Sequence, residues 1–464
     1  MSRTVGIVGG AESGVRGDFR TDIAVIGGGA SGTLTAVHLL RAGASDLRVV
    51  VFESEASRRH LGAAYSTTDP RHLLNVRAQV MSAFPEEPGH FVEWARQAGY
   101  AVEPTDFVPR MVFGQYLRSL VSQFGDGRLR VVTERVEDVV ADGGGFTLTA
   151  GDTSTRAGAV VFAYGNPAPR QLATAAGPLP DAAWHVRNPW DLDALTALPD
   201  DATVVLVGSG LTAVDAAITL LEDAPRRRVV MVSRHGELPR THLAQALTDW
   251  VSPIPPLGPL TADGLAELIR TQIEVAARQG VNWRAVIDGL RAATPSIWAR
   301  LDLDERRRFL TAHSRDWDVR RHRMAPAPAA RIRAYRASGR LSVHGGGLQG
   351  VEDLGSRCRV ELDGVALDAD ALVNCTGPLN DVTQTVDPLL RSLVDRGTVA
   401  PDPLGIGLAC TPDGRLLDST GAIALAMYAV GPPRKGAVWE SLAVPEIRDQ
   451  AALLAQHLVS ARAA

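Results

Sequence analysis

Apolar and polar positions mark a strand–turn–helix–strand unit near the start of the chain. Thr21-Asp22 leads into IAVI, a short β-type run. A glycine turn follows, then TLTAVHLLRAG, which reads as a helix with Gly43 near its end. A second apolar run, LRVVVFE, terminates at Glu53. The same order recurs at 203–234, where TVVLV, a glycine turn, a helical stretch and RVVMV succeed one another. SPIPPLGP at 252–259 then breaks the pattern, and LAELIRTQIEVAARQG and VNWRAVIDGLRAA read as amphipathic helices at 3.6 spacing. GRLSVHGGGLQGVEDL starts a small β stretch returning to a sheet.

The two turns carry the chemistry. Gly27, Gly29 and Gly32 form GxGxxG, with Gly28, Ala30 and Ser31 between them. The first glycine permits the tight turn, the second lets backbone approach a pyrophosphate, and the third lets helix and strand pack closely. The helix start presents free N–H groups and a positive dipole end to the phosphates. Glu53, closing the second strand, is placed to accept ribose hydroxyls. In the second copy Gly208 and Gly210 match, Ser209, Leu211 and Thr212 complete the turn, and Ala213 replaces the third glycine. Ser233 and Arg234 occupy the acid position. A hydroxyl and a guanidinium suit a 2′-phosphate that a carboxylate would repel, so the second unit leans to NADPH, with NADH the alternative. Arg240 is a weaker ligand for the same phosphate, and Arg234 as a solvated surface charge is the plainer alternative. Two units call for two dinucleotides, and the first, with its acid, suits FAD.

Composition narrows the class. The 464 residues hold 45 Gly, 28 Pro and 3 Cys, with 45% hydrophobic and 22% charged residues. That is enough chain for several domains with ample core, and too apolar for general disorder. A net charge of −4 argues against a generic nucleic-acid or anionic-membrane binder. No run of 18 apolar residues suggests a membrane span. Residues 1–20 read as a flexible tail without a signal-peptide core, although VGIVGG at 5–10 mimics a strand and turn. Cys358, Cys375 and Cys410 are far apart with no CxxC or CxxxxC, which removes a dithiol centre and a Cys-rich metal site and suits a reducing cytoplasm.

The chain resembles the flavoproteins with two dinucleotide-binding domains. More narrowly it is similar to the family of FAD-dependent urate hydroxylases and aspartate N-hydroxylating monooxygenases. The stretches that carry the resemblance are LGAAYSTTDPRHLLNVRAQVMSAF at 61–84, VPRMVFGQYL at 108–117, RDWDVRRHRMAP at 315–326 and GPPRKGAVWESLAVPEIRDQA at 431–451. The resemblance implies an α/β fold of two Rossmann-like domains, the second inserted in the first, with a helical insertion. Expected boundaries are 21–200 and 371–464 for the FAD domain and 201–370 for the NAD(P)H domain, with the insertion at about 240–335. It further implies that His72 to Val76 runs beside the isoalloxazine with Asn75 as a polar contact, or as a plain turn residue. Val136 backbone is expected against the adenine, and Thr376, Gly377 and Gly431 near FAD. Pro432 stands where many relatives carry the Asp that meets the ribityl chain. The helix from Val444-Pro445 is expected to aim its N-terminus at the flavin. Arg320, Arg321 and Arg323, with His322 beside them, form either an anion-binding wall for a carboxylate or phosphate, or a charged helix face. Lys435 and Trp439 are expected substrate contacts; the alternatives are a solvated charge and a core ring.

Reduced flavin passes electrons to a disulfide, a quinone, a protein or oxygen, and the missing dithiol leaves oxygen as the favoured acceptor. The expectation is a monooxygenase in which NADPH reduces FAD, O2 forms a C4a-(hydro)peroxide, and a small carboxylate-bearing amine such as an aspartate-like amino acid is N-hydroxylated. C-hydroxylation of a heterocycle such as urate, a non-oxygenating oxidoreductase and a nucleotide-sensing module are the alternatives. The catalytic power is flavin-borne, so no protein nucleophile and no metal is assigned.

Overall fold

A computed structural model describes residues 19–255 and 258–463. The stretch 5–10 and Pro256-Leu257 within the breaking segment lie outside them. The first strand, Phe19–Ile26, opens two residues inside the expected tail. It pairs in parallel with Val49–Phe52 on one side and Thr153–Phe162 on the other. Parallel sheets are covered on both faces, which is why IAVI and VVVF are continuous apolar runs rather than alternating ones. Leu129–Val132 and Ile423–Ala429 extend the parallel set, and an antiparallel meander at 138–162 with Arg415–Leu417 completes eight strands. The helix Ala30–Ala42 packs between this sheet and the C-terminal helix Val444–Ala463 within one apolar core.

The second sheet has five strands, all parallel, in the order Leu341–His344, Arg228–Val232, Thr203–Val207, Ala371–Asn374, His185–Val186. Its helix Leu211–Glu222 is almost wholly buried. Membership of the sheet shifts the expected boundaries. His185–Val186 belongs to it although it precedes residue 201, and Ala371–Asn374 belongs to it although the return was expected at 371. The chain returns to the first sheet only after Asn374, where Leu379 N–H bonds Ala168 O at 3.1 Å. The excursion between the two segments of the first sheet confirms two Rossmann-like units, one inserted in the other.

The helical insertion leaves after Val232. It contains Ala262–Arg278, Trp283–Gly289, Thr294–Ala299, Leu303–Ala312 and Ser314–Arg321. The next helix, Pro326–Ala337, does not belong to it. Ala329, Ile332 and Tyr335 pack into the core of the second domain, and the helix crosses to the edge strand Leu341–His344. The insertion therefore ends about ten residues before 335, because this helix is the crossover that a parallel strand pair requires. No helix among the described residues is long and apolar enough to cross a membrane.

Candidate functional site

The first turn is built by steric exclusion. Gly27 has φ +104°, and a Cβ there would lie 2.6 Å from Ala163 O. A Cβ on Gly32 would lie 1.8 Å from Gly27 O, so helix and turn touch only because residue 32 has no side chain. A Cβ on Gly28 would lie 2.7 Å from the Cβ of Glu53, which brings that carboxylate's stem against the turn. Gly29 is the N-cap of Ala30–Ala42, with no side-chain cap and no acid in the first turn. The first helical bond runs from Thr33 N–H to Gly29 O at 2.9 Å, and the N–H groups ahead of it point out of the helix end. A cradle of bare backbone, a positive helix end and a carboxylate at the strand terminus fits an adenine dinucleotide with a free ribose 2′-OH.

The second turn repeats the construction. Gly208 has φ +124°, and a Cβ there would lie 2.2 Å from Cys375 O. Gly210 caps Leu211–Glu222 without a side-chain cap, and nothing lies within 4 Å of its missing Cβ. That open face matches backbone reserved for close approach. Thr212 sits in the first turn of this helix and Leu211 opens it. The acid position differs as the sequence indicated. Ser233 Oγ accepts from Ser209 Oγ at 2.8 Å and from Gly236 N–H at 3.1 Å. Arg234, next in the chain, is exposed, and so is Arg240, whose backbone pairs with Val319 and Met324.

Other expected cofactor residues fall into place unevenly. Gly431 has φ +81°, and a Cβ there would lie 2.5 Å from Ser31 Oγ, so this glycine does sit on the first turn. Its N–H donates to Gln450 Oε1 at 2.8 Å, tying it to the C-terminal helix. Pro432 is buried and opens a short helical turn. Glu446, in the first turn of Val444–Ala463, chelates Arg291 at 2.5 and 2.7 Å. Val136 is buried just ahead of the strand Asp138–Asp142 rather than in it. Cys375 lies against Gly208, so Thr376 and Gly377, expected near FAD, follow directly from the end of the second sheet beside the second turn.

The HLLNV segment occupies the seam between the two domains. His72 is buried, with its ring nitrogens 2.8 Å from Thr67 Oγ1 and 2.9 Å from Thr219 Oγ1. Arg110 Nη2 lies 2.8 Å from Asp215 Oδ2, and Arg71 joins Asp69 to Asp223. Burial pushes the Asp215 carboxyl up and the His72 ring down. Helix Leu211–Glu222 is thus bolted to the first domain by polar contacts that no local pattern announces. Asn75 contributes its backbone: its carbonyl accepts from His242 Nε2 at 2.9 Å. Burial, with Arg323 and Arg77 nearby, pushes the His242 ring down to about 3. Arg77 lies beneath the same loop and donates to the carbonyls of Leu243 and Gln245, each at 2.8 Å.

The arginine wall separates into three. Arg320 pairs with Asp316 at 3.1 Å and is half-buried. Arg321 is buried against Glu440 at 3.2 and 3.4 Å, so it joins the insertion to the 431–441 segment and is no free anion ligand. Adjacent helical residues diverge by about 100°, which sends Arg320 and Arg321 to different faces. Arg323 is 1% exposed and gives Nη2 to Asp288 Oδ1 at 2.5 Å. Its Nε and Nη1 have no protein partner. Lys435 Nζ lies 4.5 Å above the Trp439 ring, a cation–π contact. Trp439 is a buried ring stacked on Trp298 at 5.0 Å.

Two residues escaped the sequence reading. Gly62, φ +64°, brings its Cα within 3.2 Å of the Cβ position of Gly29 and so packs directly on the first turn. The LGAAY stretch contained it, but nothing local links residue 62 to residue 29. Arg315 donates to the backbone carbonyl of Glu237 at 3.1 Å and pairs with its carboxylate at 3.3 Å, holding the loop that carries Ser233.

Residues 24–167 match the model of a family described as FAD-NAD(P)-binding. No curated protein matches the sequence. Among solved structures, ornithine hydroxylase from Pseudomonas aeruginosa is similar with a TM-score of 0.64 at 16% identity, covering 95% of this chain and 99% of that one. Kutzneria sp. 744 ornithine N-hydroxylase, in a structure with reduced FAD, NADP+ and L-ornithine, gives 0.62 at 15% identity over 96% and 100%. Bacillithiol disulfide reductase from Staphylococcus aureus gives 0.56 at 13% identity over 96% and 99%. The chain shares with all three the fold of the two-dinucleotide flavoproteins.

Proposed function

We propose that this chain is an FAD-dependent, NADPH-consuming monooxygenase that N-hydroxylates a small amine bearing a carboxylate, of the aspartate type. The observation that carries the reading is the pair of glycine turns, one per sheet, with Glu53 beside the first and Ser233 beside the second. Gly27–Gly32 and Glu53 would hold FAD, with Gly431 closing over Ser31. Gly208–Thr212, Ser233, Arg234 and Arg240 would hold NADPH. FAD, when bound, supplies hydride acceptance and oxygen activation.

This chain's own residues bind, orient and exclude water. The two helix N-termini neutralise phosphate charge. The seam at His72, Arg110 and Asp215 sets the second domain against the first. The insertion covers the 72–77 segment through His242 and Arg77 and excludes solvent there. Arg323, with two buried unpartnered nitrogens, supplies the donors that a substrate carboxylate requires. A disulfide acceptor is disfavoured because Cys358, Cys375 and Cys410 form no CxxC or CxxxxC dithiol. An ornithine N-hydroxylase of the same fold supports the choice of an amine nitrogen.

The test has two stages. Anaerobic NADPH added to the yellow protein should bleach the flavin, and absence of bleaching with any candidate substrate overturns the reading. Aerobic turnover with a panel of amino acids and purines, followed by product mass, should then give an amine carrying one added oxygen. An oxygenated purine would replace the amine substrate, and hydrogen peroxide alone would make the protein a non-oxygenating oxidoreductase.

A further inference from the structure

The insertion lines an apolar pocket of about 210 Å³ that opens to solvent on one side. Its walls come from Ala262–Arg278, from Trp298, Phe309 and Trp317, and from Trp439 of the segment that follows Gly431. A void of about 150 Å³ with apolar walls accepts benzene. This one is larger, and its walls are rigid. Trp298 and Trp439 stack at 5.0 Å, and Phe309 meets Trp439 edge-on at 5.0 Å. Trp298 Nε1 donates to Gly436 O at 2.8 Å, which fixes that ring in turn.

Two further observations point to an occupant. Trp439 has φ +61°, a left-handed backbone that a bulky side chain rarely adopts. Such strain concentrates where a side chain is held for a ligand. Trp317 lines the cavity, and its buried Nε1–H has no hydrogen-bond partner. A buried donor without an acceptor is costly, and an acceptor on a bound molecule removes the cost. Arg320 and Arg270 also line the cavity, Arg320 held by Asp316 and Arg270 by Glu267. Apart from Asp316 and the His313 ring, the polar lining is donors and a threonine hydroxyl.

We propose that this cavity is a binding site for a compact hydrophobic carboxylate, one aromatic ring in size, with the ring between Trp298, Trp317 and Trp439 and the carboxylate received by Trp317 Nε1–H and Arg320. The site is separate from the buried Arg323 group, which faces Asp288 and His242, and it does not depend on the oxygenation reaction.

The experiment uses the full-length flavin-loaded protein and phenylacetate as probe, with phenylacetamide as its neutral counterpart. Equilibrium dialysis should show saturable binding of one phenylacetate per chain and quenching of tryptophan fluorescence. Phenylacetamide should bind at least tenfold more weakly. Trp317→Phe should weaken phenylacetate about tenfold, because the ring stays and the donor goes. Ala266→Trp, which fills the cavity, should abolish binding while FAD content and NADPH-driven flavin bleaching stay at wild-type level. Leu265→Trp serves the same purpose if Ala266→Trp misfolds. Equal binding to the filled variants, or no saturable binding to wild type, overturns the site. Equal binding of phenylacetate and phenylacetamide overturns its preference for a carboxylate. Flavin bleaching is scored without phenylacetate, so failure of the proposed oxidoreductase activity and failure of this site are read separately.

Discussion

Ser209 Oγ lies 2.8 Å from Ser233 Oγ, and this pair occupies the place in the second unit that Gly28 and Glu53 occupy in the first. Each pair joins the middle of a glycine turn to the end of the neighbouring parallel strand. In the first unit the turn residue must be glycine, because a Cβ there would lie 2.7 Å from that of Glu53. In the second unit two short hydroxyl side chains fit together, and the ribose edge is lined by hydroxyls instead of a carboxylate.

Cofactor preference follows from that pair. The double variant Ser209→Gly/Ser233→Glu should reproduce the first unit's geometry and reverse the preference towards NADH. The ratio of kcat/KM for NADPH to that for NADH should fall at least tenfold, about 1.4 kcal/mol. Ser233→Glu alone should do less, since the Ser209 side chain occupies the space the longer acid needs. Arg234→Ala should raise KM for NADPH and leave NADH unchanged. An unaltered ratio in the double variant would remove Ser233 from the specificity site.

Glycine substitutions separate folding from binding. Gly208→Ala combines φ +124° with a Cβ 2.2 Å from Cys375 O, so the second domain should lose stability markedly. Gly210→Ala meets nothing within 4 Å and should fold with a near-wild-type Tm and normal FAD content. It should nevertheless raise KM for NADPH, because a methyl group then stands on the approach to the phosphates. Thermal melts and steady-state kinetics on the two variants distinguish these outcomes.

Acid sensitivity should trace in part to His242. Its folded value of about 3 lies below the ordinary 6.5, because burial disfavours the charged ring and Arg323 and Arg77 oppose it. The neutral ring's contribution is complete above about pH 6.5 and is lost as pH falls from there towards 3. By linkage the loss between pH 7 and pH 5 is about 2 kcal/mol. His242→Gln keeps a donor for Asn75 O and has nothing to protonate. Its Tm should fall less than that of wild type over the same range, by a few degrees. Parallel curves for the two proteins would contradict the assignment.

The Arg321–Glu440 pair should behave as structure. Glu440→Gln leaves a buried guanidinium without its counter-charge and should cost about 3 kcal/mol. Arg321→Met combined with Glu440→Leu should recover most of that loss, since an apolar pair of similar volume replaces the ions. Denaturant midpoints of the two variants decide it. A double variant as unstable as Glu440→Gln would show that the site needs charge.

Much of the site was legible along the chain because its determinants are local. Glycines two residues apart in each turn set backbone dihedrals, a helix start and a strand end, and Glu53 or Ser233 follows within one strand–helix–strand unit. Those relationships depend on bond geometry and period, so both units and the swap of acid for hydroxyl are determined by the order of residues alone. The arginines of 320–323 were different. Their spacing placed them near one another, but whether each is free or paired depends on Glu440, Asp288 and Asp316, and the first two of these lie on distant segments. The same holds for Gly62 over Gly29, for His242 on Asn75, and for the helix 326–337, which joined the second domain because its apolar face met Leu211–Glu222. Tertiary packing alone decided these, since burial and ion pairing are properties of what surrounds a side chain, and its surroundings come from segments far away in the sequence.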